Sequence, residues 1–153
     1  MELLSFPEIF ERLVLAIFLG MLLGFERLSA GKTAGARTHA LISLGAALFV
    51  IVSVMVSGAY QGAANFDPLR VAAQIVAGIG FLGAGIIIFT GSQLKGLTTA
   101  AGFWVAAGIG MATGYGLWTV AVSATVLTLF VFTVLWYIER IVKNISEKYS
   151  HKK

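Results

Sequence analysis

Apolar residues dominate five stretches of the chain, roughly 9–25, 38–57, 71–89, 97–114 and 117–138, with short polar connections between them. Each is close to the about 20 residues an α-helix needs to cross the hydrocarbon core of a bilayer. The pattern predicts an all-α integral membrane protein, a bundle of five transmembrane helices within residues 1–140. Residues 141–153 read as a short basic cytoplasmic tail.

The third stretch has the most structured pattern. On a helical wheel Ile75, Ile79, Leu82 and Ile86 share one bulky face. Ala73, Ala77, Gly80 and Ala84 share a second face, and Gln74, Gly78 and Gly85 a third. One face suits lipid and two let neighbouring backbones approach, so this helix is expected at the centre of the bundle. The first stretch carries Ala16, Gly20 and Gly24 at four-residue intervals, and the fourth carries Ala106, Gly110 and Gly114. Both are small-residue faces for helix contact, joined in the packing set by Gly78, Gly80, Gly83 and Gly85. The fifth, bulkier, is expected at the periphery. Trp118 and Trp136 suit an interface, and Trp104 suits either an interface or packing.

Composition agrees with this picture. Of 153 residues, 58% are hydrophobic and 12% charged, and the mean hydropathy is +0.91. A soluble domain carries roughly twice that charge. There are no cysteines, which excludes disulfides, thiolate metal sites and cysteine nucleophiles. The N-terminus is acidic at Glu2, Glu8 and Glu11, where a signal peptide would be basic. The net charge of +4 fits basic cytoplasmic loops rather than nucleic-acid binding. With the N-terminus outside, nine basic residues fall inside (Arg27, Lys32, Arg37, Lys95, Arg140, Lys143, Lys148, Lys152 and Lys153) and two, Arg12 and Arg70, fall outside. The positive-inside rule therefore predicts N-out and C-in.

Few residues carry candidate chemistry. Gly78, Gly80 and Gly83 match a dinucleotide-type glycine spacing, but no acid lies between Asp67 and Glu139 and no strand is expected before them. Transmembrane packing explains these glycines better. Asp67 and Pro68 read as a helix start, with Arg70 needing an anionic partner and Gln74 a polar one within the hydrocarbon. Glu26 ends one helix and Arg37 begins the next, each unfavourable with its helix dipole, so a Glu26–Arg37 pair is expected. Glu26, Arg27, Arg37, Thr38, Thr98 and Thr99 are then expected to converge at the cytoplasmic end. Two helix starts there favour an anion. Glu26 and Asp67 are weak metal candidates, on opposite sides of the membrane. His39 reads as a loop-end residue without catalytic neighbours, and no enzyme activity is expected.

Three segments, GFERLSAGKTAGARTHALISLGAAL (24–48), DPLRVAAQIVAGIGFLGAGIII (67–88) and KGLTTAAGFWVAAGIGMATGYG (95–116), resemble the MgtC/SapB family of bacterial membrane proteins. The resemblance covers nearly the whole hydrophobic part and implies a five-span membrane domain. It places the family's polar pattern on Glu26, Arg27, Gly31, Lys32, Gly35, Arg37, Thr38, Asp67, Arg70, Gly78, Gly80, Gly83, Gly85, Gly96, Thr98 and Thr99. It also implies an inner-membrane location and a link to magnesium limitation and, in pathogens, to survival in macrophages. The chain stops about 15 residues after its fifth apolar stretch, so the short SapB-like branch, without a soluble C-terminal domain, is the closer comparison.

The leading expectation is a small inner-membrane protein of magnesium homeostasis, a transporter or its accessory, with magnesium as the transported or sensed ion. Asp67, Arg70 and Gln74 would form an outer vestibule, and Glu26, Arg37, Thr98 and Thr99 an inner one. The alternatives are a non-transporting regulator of another membrane protein, such as the rotary ATP synthase, and a protein that binds an anion or lipid headgroup. The expected partners are the lipid bilayer, another membrane protein and a second copy, since a homodimer fits the size.

Overall fold

A computed structural model of the chain describes residues 4–59, 67, 69–90 and 93–150. The order of elements is α1 (Phe6–Ser29), α2 (Ala36–Ala59), α3 (Leu69–Gly85), β1 (Ile88–Thr90), β2 (Gln93–Lys95), α4 (Leu97–Gly114) and α5 (Trp118–Phe130). A π-helical turn, Val131–Leu135, joins α5 to α6 (Trp136–Ser150). The fold is all-α apart from one small hairpin. Among the described residues, three helical stretches are long and apolar enough to cross a membrane: Ala36–Gly58, Leu97–Gly114 and Trp118–Val142. Leu69–Gly85 is a shorter apolar helix.

α1 starts on a capping box. The Ser5 amide and hydroxyl both donate to the Glu8 carboxylate at 2.8 Å, which satisfies the helix start and holds that carboxyl below its usual range. Charges at both ends, Glu11 and Arg12, then Glu26 and Arg27, bracket its apolar middle. It buries Ala16, Leu19, Gly20, Leu23, Gly24 and Arg27, a stripe at three- and four-residue steps.

α3 is not the centre of the bundle; α4 is. α4 packs against α1, α2, α3 and α5, and buries ten residues from Thr99 to Gly114. α3 buries only Ile79 and Gly83. A Cβ on Gly78, Gly80 or Gly85 would meet nothing within 4 Å, so these glycines do not serve packing between the helices of this chain. Gly83 alone approaches α4, with a Cβ falling 3.5 Å from that of Ala100.

The close approaches lie elsewhere. A Cβ on Gly20 would lie 2.7 Å from the His39 carbonyl oxygen, and one on Gly24 would strike the backbone of Ala36. One on Gly110 would run into the Ser43 carbonyl, and one on Gly114 would lie 2.8 Å from that of Ala47. α2 is thus clamped between two small-residue faces, one on α1 and one on α4. Leu19, Leu23, Ala106, Ile109, Ala112 and Ala121 close the core between α1, α4 and α5. A second core, Ala34, Ala46, Ile79, Phe103 and Ala107, ties α2 and α3 to α4.

The third apolar stretch does not stay helical to residue 89. Helix ends at Gly85, and the branched run that follows forms a short antiparallel hairpin with Ile88 opposite Lys95 and Phe89 opposite Leu94. Gly96, at φ +94°, turns the chain from this hairpin into α4 with the Ile86 carbonyl packed against it, a conformation and a space only glycine fits. The last helix is peripheral: of α5 and the π turn only Ala121, Thr125 and Phe132 are buried. Trp104 is exposed on α4.

At the other end of the bundle the half-buried Arg12 donates from Nη1 to the Gly114 carbonyl at 2.7 Å and lies 5.9 Å from the centroid of Trp118. A cation at the last carbonyl of α4 complements that helix's dipole. Arg12→Ala is expected to cost about 1.5–3 kcal/mol, the range for a hydrogen bond to a charged group. Arg12→Lys should restore part of it, read as the unfolding midpoint of the purified protein.

Candidate functional site

The end of α1, the start of α2, the N-terminal half of α4 and the π turn meet around a buried arginine. Arg27 is 2% exposed. Its Nε pairs with the Glu26 carboxylate, and its guanidinium lies 3.7 Å over the ring of Phe132. Nη2 also reaches the Phe132 carbonyl at 3.4 Å. Adjacent helical side chains do not normally face each other, and this pair forms in the last turn of α1. Helix-to-π switches disturb the regular backbone ladder and cluster at functional positions. Here the switch sits beside the carbonyl that Arg27 takes.

His39 completes the cluster and is fully buried. Its Nδ1 is 3.1 Å from the Gly35 carbonyl. A carbonyl only accepts, so Nδ1 carries the proton, and in the neutral ring Nε2 is left with a lone pair. That nitrogen is buried without a protein partner, as is the Ser43 hydroxyl one turn on. A Cβ on Gly102 would lie 3.2 Å from His39 Nε2 and 3.1 Å from the tip of Phe132, so the missing side chain makes room for both rings. Phe103 meets His39 edge-on at 5.3 Å. Thr99 is buried one turn earlier on the same helix.

The expected inner cluster is therefore assembled only in part. Glu26 and Arg27 form it with each other, Thr99 is buried on α4, and Thr98 is exposed. The Glu26–Arg37 pair is not formed: Glu26 goes to Arg27, and Arg37, exposed, lines a groove between α2 and α3 with the half-buried Thr38. Arg70 and Gln74 line the same groove. Asp67 is exposed and its Oδ1 accepts from the Leu69 amide at 2.9 Å, which makes it the start of α3. Pro68, assigned to that start, lies outside the described residues, as do residues 151–153 of the tail.

The contacts put Glu26 and Asp67 at opposite ends of the bundle. Gly24 meets Ala36, His39 meets Gly102, and Ala100 meets Gly83, so the C-terminal end of α3 lies with Glu26 and its N-terminal end away from it. Each carboxylate already has a partner in the chain. No group of three or more His, Cys, Asp or Glu able to hold a metal occurs among the described residues, and the two carboxylates do not fit a resident divalent-cation site.

His39, Arg12 and Phe132 are absent from the sequence-derived set. His39 follows a glycine-containing loop in the sequence and reads as its end, but α2 begins earlier, at Ala36, and its first turns are packed inside. Arg12 gave a signal, a charge within reach of an apolar stretch, that orientation counting absorbed. Nothing in the apolar run around Phe132 marks a π turn.

A bundle built on glycine contacts, with three helices of membrane-crossing length and apolarity among the described residues and an ion pair inside, has the character of a helical membrane protein. The chain belongs to the MgtC family, whose model matches residues 13–141. It is 45% identical over 132 residues to the "Putative magnesium transporter YhiD" of Escherichia coli K12, covering 83% of this chain and 60% of that one. It is 48% identical over 120 residues to "Protein MgtC" of Brucella abortus strain 2308, covering 78% of this chain and 48% of the relative. With "Protein MgtC" of Salmonella typhimurium LT2 it shares 45% over 128 residues, 84% of this chain and 52% of that protein. The chain thus spans about half to three-fifths of the length of these relatives. No solved structure matches it significantly.

Proposed function

We propose that the chain is a multi-pass protein of the bacterial inner membrane that serves magnesium homeostasis as an accessory or regulator of transport. The family and the magnesium in the name of the Escherichia coli relative support the physiological setting. Five crossings with the N-terminus outside fit the nine-to-two division of basic residues. The observation that carries the regulatory role is the engagement of both candidate carboxylates. Glu26 neutralises a buried arginine and Asp67 starts a helix at the opposite end of the bundle, so the two do not form a paired-carboxylate site for a magnesium ion. The open backbone at Gly80 and Gly85 supports contact with another membrane protein or a second copy. No enzymatic chemistry is proposed.

Conduction through the chain itself is the second reading, favoured by the name of that relative. Two measurements separate them. In a strain deleted for the gene, growth at low magnesium should fall and be restored by the intact chain. Purified protein in liposomes should pass no more magnesium than empty vesicles. Protein-dependent flux would establish transport instead, and an absence of any growth effect would remove magnesium from the account.

A further inference from the structure

α2 and α3 touch little and diverge, and the space between them is a groove of about 1070 Å³ floored by Phe103 and Ala107 of α4. Its walls are apolar, chiefly Leu41, Ile42 and Phe49 on one side and Ile75, Ile79 and Leu82 on the other. Polar groups stand at its two ends. Arg37 and Thr38 mark the end nearest the Glu26–Arg27 pair, and Arg70 and Gln74 the opposite end. A volume at the upper end of the roughly 300–1,000 Å³ of small-molecule sites is too large to be a packing flaw.

We propose that this groove binds an anionic phospholipid of the surrounding bilayer, with its phosphate on Arg37 and its acyl chains laid along the α2–α3 walls. Charge complementarity selects the headgroup. Arg37 is exposed, forms no ion pair among the described residues, and has lost its neighbouring acid, Glu26, to Arg27. The exposed Lys32 in the preceding loop adds to the positive charge of that end. Arg70 has Asp67 three residues away, so the opposite end is closer to neutral. Basic pockets between transmembrane helices are a known way of holding acidic headgroups.

Shape selects the chains. At 1.5 Å per residue the walls from Arg37 to Phe49 and from Arg70 to Ile86 run roughly 18 and 24 Å. A lengthwise groove with apolar walls suits hydrocarbon chains, and a helix of a second copy is the competing occupant that the cross-linking below detects. The groove's length exceeds half of the about 30 Å hydrocarbon core, so the chains of one leaflet fit within it.

Gly78 provides a test that spares the contacts of α3 with α4, because it lines the groove and a Cβ there would meet nothing within 4 Å. The delipidated full chain in detergent is incubated with phosphatidylglycerol or phosphatidylcholine, and the retained lipid is counted by native mass spectrometry. The intact chain should retain phosphatidylglycerol in preference. Arg37→Gln should cut that retention roughly fivefold, the change matching about 1 kcal/mol for one basic residue at an anionic surface, and remove the preference. Gly78→Leu should lower retention of both lipids with an unfolding midpoint that holds or rises. Equal retention of the two lipids by the intact chain, or phosphatidylglycerol retention unaffected by either variant, would overturn the proposal. So would cross-linking from a Gly78→Cys variant in membranes that recovers only dimers of the chain, since a second copy would then cover the groove.

Discussion

Replacing Glu26 by Gln is expected to lower the stability of the bundle by about 3–5 kcal/mol, the cost of leaving one charge of a buried pair uncompensated. Arg27 cannot reach water: it is 2% exposed and held between the Glu26 carboxylate and the face of Phe132. The cation–π contact contributes ~2 kcal/mol when desolvated, but it does not neutralise the charge. Against a total stability of about 5–15 kcal/mol, the loss removes a large share. The unfolding midpoint of purified Glu26→Gln should fall steeply, and Glu26→Gln with Arg27→Met should recover most of the loss, because the second change removes the stranded charge. A single variant that melts with the parent would mean that Arg27 finds water or lipid phosphate, and that the cluster does not hold α1 to the last helix.

The second large effect is expected at Gly110. A side chain there runs into the carbonyl of Ser43, which is backbone and cannot swing aside. α2 and α4 must part, which opens the contacts beside Gly114 as well. Overpacking of this kind costs about 1–3 kcal/mol when the surroundings can yield, and here they cannot, so Gly110→Val should reach or pass the upper figure. Gly80→Ala on α3 is the matched control. Its Cβ meets open space, and glycine is about 0.5–1 kcal/mol worse than alanine within a helix. The midpoint should drop for Gly110→Val and hold or rise for Gly80→Ala. The reverse order would return α3 to the centre of the bundle.

That contrast shows where reading the chain by itself stops. α3 and α4 are both short, apolar and rich in glycine and alanine, and a helical wheel describes one helix at a time. Nothing local to Gly80 or Gly110 distinguishes a glycine that faces a neighbour from one that faces open space. The same holds for Arg37 and Arg27: dipole arguments apply to both, but which of them meets Glu26 depends on how deeply α1 sinks against the last helix. His39 was misplaced for a related reason, since burial of the first turns of α2 arises from α1 and α4 rather than from the polar loop before it.

By itself the sequence determined the apolar helical segments, the separation of Glu26 and Asp67 to opposite ends, the peripheral last helix and the membership of the family. These follow from hydrophobic length, charge placement and residue size, which are properties of single segments. Only the tertiary structure decided that α4 is the axis, that Arg27 rather than Arg37 takes Glu26, and that α2 and α3 part to leave a lengthwise groove. Those outcomes are set by which backbones can approach closely. That depends on pairs of surfaces far apart in the chain, such as Gly110 against Ser43, and not on either surface alone.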